Sequence, residues 1–385
     1  MNIRSCALAR LVLVLLWLLG LLVAGCTQAP PTTAPSSVPS PISASESYWP
    51  TTGWRTSAPE AQGMDAQKLA QLLQAVRQEK LNLHSLLIVR NGYVVSETYF
   101  PPYTAETDHE VYSVTKSVMA TLLGIAIDKG SIDGVKQPVA DFFRDDTFQH
   151  PDPGKDRMTL EDLLTMRTGL DWREEDATFR QMYQSDDWVR FVLDLPMREP
   201  PGQQFRYCSG CSHLLSAIIQ RRTNMNTRDF ARQTLFEPLG IHNVTWEQDR
   251  QGIPIGGWGL QLTPRDMAKL GYLYLHEGMW DGRRIVSAAW VKAAIEPHTA
   301  TDSTLGLNYG YQWWTSPALK AYAALGRDGQ TVFVVPDRQL IVVTTAETDG
   351  HAAIFRLIER FIVPAAARAA DKDSASNTVD QRVRQ

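Results

Sequence analysis

Apolar positions recur along this chain with two periods, and each period marks out its own elements. From Ala66 to Gln78, Leu and Val fall at helical spacing, which predicts a helix. Ser85 to Val89 and Tyr93 to Tyr99 are apolar or alternating runs joined through Arg90-Asn91-Gly92, and Asn-Gly between such runs predicts a hairpin. Val118 to Ile127 is a nearly unbroken apolar run, the mark of a buried helix. Between residues 130 and 300 helical patterns dominate, with loops rich in Pro, Gly and Trp. Strand character returns in Tyr309 to Trp314, Ala321 to Leu325, Thr331 to Val335 and Leu340 to Thr345, and Arg356 to Val363 closes as an amphipathic helix. Strands from both ends with helices between them imply an α/β (α+β) fold: one antiparallel sheet built from both ends of the domain, flanking helices and an inserted helical lobe. No internal repeat interrupts this order.

The two ends of the chain have a different character. Arg4 and Arg10 accompany an apolar run, Leu11 to Val23, of signal-peptide length and too short to span a bilayer comfortably. It ends in Val23-Ala24-Gly25-Cys26, and small residues directly before a cysteine resemble the lipobox of bacterial lipoproteins. The resemblance implies cleavage before Cys26, lipid attachment to Cys26, and a lipid-anchored membrane protein of the bacterial cell envelope. Residues 1–25 are then a signal peptide, and 26–48, dense in Pro, Ser and Thr, an extended tether. Residues 366–385 turn small, charged and polar, which predicts a loose tail. Residues 49–365 remain as the folded domain. A net charge of −4 without any Lys/Arg cluster gives no sign of a nucleic-acid partner.

Candidate chemistry begins at Tyr112-Ser113-Val114-Thr115-Lys116-Ser117. Ser113 falls at the first turn of the buried helix, where unpaired N–H groups and the positive dipole end favour developing negative charge. Lys116 lies one turn later on the same face, and apolar surroundings lower a lysine's pKa until it can accept a proton near neutrality. The alternative is an N-capping serine beside a solvated lysine. Pro201 to Ser209 leads into the helix-like Leu214 to Ile219, placing Tyr207 in a loop that faces the Ser113 helix. A tyrosine beside an ammonium is expected to have a lowered pKa and to suit a proton shuttle, against the plainer reading of a half-buried tyrosine. Gly326-Arg327-Asp328-Gly329 precedes a strand, where glycines allow close backbone approach, or simply a turn. An N–H presented there with that of Ser113 would make an oxyanion hole. Cys208 and Cys211 have redox-motif spacing and His213 follows, but no βαβ context or fourth metal ligand accompanies them. A local disulfide or two buried thiols is the expectation.

Together these stretches resemble the serine β-lactamase and DD-peptidase superfamily, on its class C-like branch of esterases and 6-aminohexanoate-dimer hydrolases. Tyr112 to Ser117 matches the nucleophile motif, Pro201-Gly202 through Tyr207-Cys208-Ser209 the tyrosine motif, and Gly306 to Trp314 with Gly326 to Gln330 the closing strands. Met158 to Leu170, Trp258 to Gly271, Gly278 to Gly282 and Trp290 extend the likeness across the domain. The resemblance implies a β-lactamase/transpeptidase-like fold and an acyl-enzyme on Ser113, with Lys116 and Tyr207 sharing the proton work. It further implies an oxyanion hole from the Ser113 and Arg327 N–H groups, and Ser209, Gly326 and Arg327 binding a small-molecule acyl substrate. No metal or cofactor is called for.

Two departures bear on substrate. Ala324-Leu325-Gly326 stands where β-lactamases carry Lys-Thr-Gly, and Ser209 where class C enzymes have Asn. Both favour a small amide or ester over an antibiotic. The loop from Trp172 to Ala177, with Tyr183 and Trp188, is expected to line or cover the pocket. The alternatives are a β-lactamase or D-amino-acid peptidase acting on cell-wall-like peptides, a non-catalytic peptidoglycan-binding member, or a thiol protein built on Cys208 and Cys211.

Overall fold

A computed structural model describes residues 48–144, 150–174 and 176–366. The expectations for the leader, Cys26, the tether up to residue 47 and the tail from residue 367 lie outside these residues. Asn91 (φ 51°) and Gly92 (φ 78°) both take the left-handed conformation that a tight hairpin between right-twisted strands requires. That hairpin joins Leu83–Arg90 to Tyr93–Tyr99 and forms one side of an eight-stranded antiparallel sheet. Across the sheet the order is Tyr93–Tyr99, Leu83–Arg90, Leu340–Ala346, Gln330–Val335, Ala321–Gly326, Trp314–Ser316, Asn308–Tyr309 and Thr299–Ala300. N-terminal and C-terminal strands meet where Leu86 pairs with Thr344 and Ile88 with Val342. The sheet is thus built from both ends of the domain, as the pattern implies.

Period-two alternation divides each central strand between two cores. Leu86, Ile88, Phe333 and Val342 face one side, under helix Ala66–Gln78 and the closing helix that begins at Ala352. Leu87, Val89, Val332 and Ile341 face the other, under helices Val114–Asp128 and Pro264–Leu275 and the helical lobe beyond. Gly271 is close to the sheet: a Cβ there would lie 2.9 Å from Val332 Cγ1, so glycine lets its helix rest directly on the strands. Helix Val114–Asp128 is buried from Val114 to Ala126, between the sheet and helix Ser209–Thr223 of the lobe. Its apolar run serves two packing surfaces at once, which is why it lacks a polar stripe.

Two features differ from the sequence pattern. Tyr309 to Trp314 is not one strand: Asn308–Tyr309 and Trp314–Ser316 pair with each other, and the chain between them turns at Gln312 (φ 58°). Gln312 is buried and donates from its side-chain amide to the Leu163 carbonyl, while accepting from Ser212 Oγ at 2.8 Å. The alternating aromatics around it record burial against the lobe rather than a continuous pleat. The helix-rich middle also contains a three-stranded sheet of His109–Glu110, Leu260–Leu262 and Thr245–Trp246, whose strands are too short to give a period.

Candidate active site

Ser113 occupies the N-cap of helix Val114–Asp128, yet its side chain makes no capping bond. The preceding Tyr112 has φ 45°, a left-handed conformation that costs a non-glycine residue about 1 kcal/mol or more. The hydroxyl instead accepts a hydrogen bond from Lys116 Nζ at 2.8 Å. Lys116 is 1 % exposed and donates also to Ser209 Oγ at 3.0 Å and to the Gly257 carbonyl at 2.8 Å. Three donors of the ammonium thus meet three acceptors, which makes so buried a charge tolerable. Burial nevertheless lowers the Lys116 pKa to about 8; Glu174 opposes the shift and Arg327 adds to it. At pH 7 about one molecule in ten carries Lys116 neutral, with its lone pair free for the Ser113 proton.

Tyr207 comes from the loop before helix Ser209–Thr223, as expected, and its hydroxyl meets the Ser113 side chain in a hydrogen bond. Its pKa is raised, which corrects the expected lowering. Burial is the largest cause, the Ser113 bond opposes it and the Glu174 charge adds to it. Lys116 Nζ lies over the face of the Tyr207 ring, 4.8 Å from its centroid. Tyr207 is therefore a phenol that can give a proton, and Lys116 is the group that can take one.

Ser209 is brought to the site, but its hydroxyl is not turned to a substrate. It donates to Glu174 Oε1 at 2.5 Å while accepting from Lys116. Glu174 Oε2 accepts the Ser209 N–H at 2.9 Å and the Trp172 indole N–H at 2.6 Å. Glu174 is the residue the sequence reasoning passes over: the loop from Trp172 is singled out there for its aromatics, and no periodic signal marks one carboxylate within it. Phe179 and Tyr183 of the same region do line the cavity, whereas Trp188 packs against Trp258 and His213 in the core.

Gly326 ends its strand against the start of the Ser113 helix. A Cβ on it would lie 2.2 Å from the Val111 carbonyl oxygen and 3.1 Å from the Ser113 nitrogen, so only glycine permits this approach. Arg327 follows immediately, in the turn Arg327–Gly329. Both line a cavity of about 1020 Å³ with Ser113, Tyr207 and Ser209. Ala324 does not line it; its side chain is fully buried in the core on the helical-lobe side. His351, also on the wall, has its pKa lowered by burial. Directly after Tyr207, Cys208 and Cys211 form a disulfide that links the N-cap of helix Ser209–Thr223 to its first turn, with Cα atoms 5.2 Å apart. Among the described residues no group of three or more His, Cys, Asp or Glu is arranged to hold a metal.

Residues 66–367 match the β-lactamase family. The 6-aminohexanoate-dimer hydrolase of Paenarthrobacter ureafaciens is 25% identical over 294 residues, covering 69% of this chain and 73% of that protein. Among solved structures, EstCE1, a hydrolase with promiscuous acyltransferase activity, superposes with a TM-score of 0.65 at 17% identity, over 77% of this chain and 97% of the other. A family VIII carboxylesterase does so with a TM-score of 0.63, again at 17% identity, over 77% and 96% of the two chains. With a serine, a buried lysine and a tyrosine gathered at the junction of sheet and helical lobe, this chain belongs to the β-lactamase family of serine hydrolases.

Proposed function

We propose that this protein cleaves a small ester or amide through an acyl-enzyme on Ser113, as a class C-like member of its family. The observation that carries this is the 2.8 Å contact between Ser113 Oγ and a buried Lys116 whose pKa is lowered to about 8. Neutral Lys116 takes the Ser113 proton as Oγ attacks the carbonyl carbon, and the N–H groups of Ser113 and Arg327 receive the oxyanion. As the tetrahedral adduct collapses, Tyr207 gives its proton to the departing alcohol or amine and is reprotonated from Lys116. Water then repeats the sequence: its proton passes to Lys116, its oxygen bonds to the acyl carbon, and Ser113 leaves with a proton.

The substrate preference follows from charge. Glu110, Glu174, Glu247, Asp328 and Asp349 line the cavity, against Arg327 and His351. Such a wall repels the carboxylate that β-lactams and cell-wall peptides carry, and Ala324 supplies no cation to hold it. The partner at the cavity is therefore a small acyl compound. The Val23 to Cys26 motif supports attachment of the protein to a membrane of the bacterial envelope through lipidated Cys26.

A fluorophosphonate probe followed by peptide mapping tests the chemistry, with wild type and Ser113→Ala assayed on a p-nitrophenyl ester and a chromogenic cephalosporin. The expected result is a Ser113 adduct, ester preference, and no turnover by a folded Ser113→Ala. Absence of the adduct, or more than a few per cent of residual activity, overturns the assignment. A preference for the cephalosporin makes the protein a β-lactamase instead. Mass analysis of protein recovered from bacterial membranes, against Cys26→Ser, tests the anchor; an unmodified Cys26 refutes it.

A further inference from the structure

Glu174 has no part in the chemistry just described, yet its carboxylate is the most fully engaged polar group around Lys116. Three donors converge on it: the Ser209 hydroxyl, the Ser209 N–H at the first turn of helix Ser209–Thr223, and the Trp172 indole N–H. A serine hydroxyl has one proton. With that proton held by Glu174 at 2.5 Å, the Ser209 oxygen can meet Lys116 Nζ at 3.0 Å only as an acceptor. The orientation of Ser209 is thereby fixed, and with it one of the three bonds that place the lysine beside Ser113.

We propose that Glu174 is a positioning residue which, through the Ser209 hydroxyl, holds Lys116 against Ser113 and sets the pH range in which the lysine can take the serine's proton. The role presupposes the serine-hydrolase chemistry proposed above. The titratable and charged groups facing Lys116 are few. Tyr207 offers its ring face from the loop, Arg327 acts from the turn after its strand, and Glu174 acts from the Trp172 loop, while the Gly257 segment contributes a carbonyl. Beside the three acceptors of the ammonium, Glu174 is the charged group of this set that favours the ammonium form, and Arg327 opposes it.

Bonds of 2.5 and 3.0 Å on either side of the Ser209 oxygen put the carboxylate and the ammonium at most about 5.5 Å apart. At an effective dielectric of about 20 to 40, removing the negative charge lowers the lysine's pKa by about one to two pH units. A glutamine at this position cannot restore the arrangement. If its carbonyl serves the Ser209 hydroxyl, its NH₂ confronts two N–H donors. If it flips to accept from those, its NH₂ donates to Ser209 Oγ and turns that hydroxyl's proton toward Lys116. Either orientation disfavours the ammonium.

The test is the pH dependence of the acylation burst with p-nitrophenyl acetate, in wild type, Glu174→Gln and Ser209→Ala, with folding checked by circular dichroism. The wild type should show a burst, a Ser113 adduct and an acidic limb. Its failure to do so overturns the serine-hydrolase reading itself. Given that burst, Glu174→Gln is expected to move the midpoint of the limb down by about one to two pH units and to slow the plateau tenfold or more. A slower plateau with an unmoved midpoint means a merely structural glutamate and overturns the proposal, as does an upward shift. Ser209→Ala keeps the charge but cuts the connection and removes an acceptor from the ammonium, so its midpoint is expected to fall as well. Should Glu174→Gln not fold, an unmoved midpoint in Ser209→Ala overturns the proposal by itself.

Discussion

Lys116→Met should make this protein more stable at neutral pH while abolishing its chemistry, and the gain should disappear as pH rises. Methionine has nearly the length of lysine without the charge, so packing changes little. The magnitude follows from linkage. Lys116 has its pKa lowered from 10.5 to about 8 by burial in the fold. Between those values the unfolded chain holds a proton that the native state has lost, so wild-type stability rises with pH across this window. Below about pH 8 the native state keeps the charge and bears the full penalty, about 3 kcal/mol. Near pH 10.5 and above the penalty is gone. The methionine variant has no such dependence. It does leave the Gly257 carbonyl without its donor, which costs about 1–3 kcal/mol at every pH. The pH-dependent part is therefore the cleaner quantity. Urea denaturation of both proteins at pH 7 and pH 10 should show their stability difference moving by about 2.5 kcal/mol in favour of wild type at the higher pH. Other groups titrate over this range in both proteins and cancel in the comparison. A difference that stays constant from pH 7 to 10 refutes a depressed Lys116 pKa, and with it the argument that this lysine is the base.

Tyr207→Phe keeps the packing of the ring against Trp314 but removes the proton donor, so its effect should depend on the leaving group. Acylation by an alkyl ester or anilide is expected to slow by about 10²- to 10⁴-fold, and acylation by a p-nitrophenyl ester, whose leaving group needs no proton, by far less; equal losses in burst rate on both refute a donor role. Gly326→Ala should lower kcat/KM by about 10²-fold or more in a folded protein, because the added methyl would lie 2.2 Å from the Val111 backbone oxygen and the strand must retreat from Ser113. Undiminished turnover of a p-nitrophenyl ester would show that the spacing of strand and helix is not used.

Much of the fold is legible where a period repeats over enough residues. The helix Ala66–Gln78 and the hairpin through Asn91-Gly92 appear where the pattern puts them. The strands of Ala321–Gly326, Gln330–Val335 and Leu340–Ala346 do so to within a residue at either end. The same holds for Ser113 and Lys116, because one helical turn fixes their relation and the helix itself announces its burial. What stays hidden depends on long-range partners. The Tyr207 pKa is set by how deeply the ring is buried and by which side of it Lys116 occupies, and neither is written in the loop from Pro201. Glu174 lies 35 residues before its partner Ser209 in an irregular loop, so its place is decided by three donors that only the assembled lobe brings together. Ser209 illustrates the same limit: its position in the motif is evident, while the direction of its proton is not.

The site is assembled from pieces whose mutual position no single element determines. Ser113 and Lys116 belong to one helix, Tyr207 and Ser209 to the entry of another, Gly326 and Arg327 to the end of a strand. Holding them within hydrogen-bond reach requires ties between these elements that do not pass through the reacting groups. Gln312 supplies several: its carbonyl accepts from Ser117 Oγ on the nucleophile helix at 2.6 Å, and its side chain accepts from Ser212 on the tyrosine helix and donates to Leu163. The Cys208–Cys211 disulfide ties the N-cap of helix Ser209–Thr223, between Tyr207 and Ser209, to the helix's first turn, and Cys208 Sγ accepts the Cys211 N–H there. The left-handed Tyr112, Gln312 and Asp328 sit at the three places where the chain must turn sharply to reach the cavity or tie its walls together. Each costs conformational energy that a looser loop would avoid; Gln312 is held by burial, while the Tyr112 and Asp328 carbonyls accept from the Thr115 N–H at 3.0 Å and the Thr348 N–H at 2.9 Å. The placement of the candidate catalytic groups is thus set at the interfaces between sheet, Ser113 helix and lobe, and substitutions at those interfaces should reduce activity before they unfold the domain.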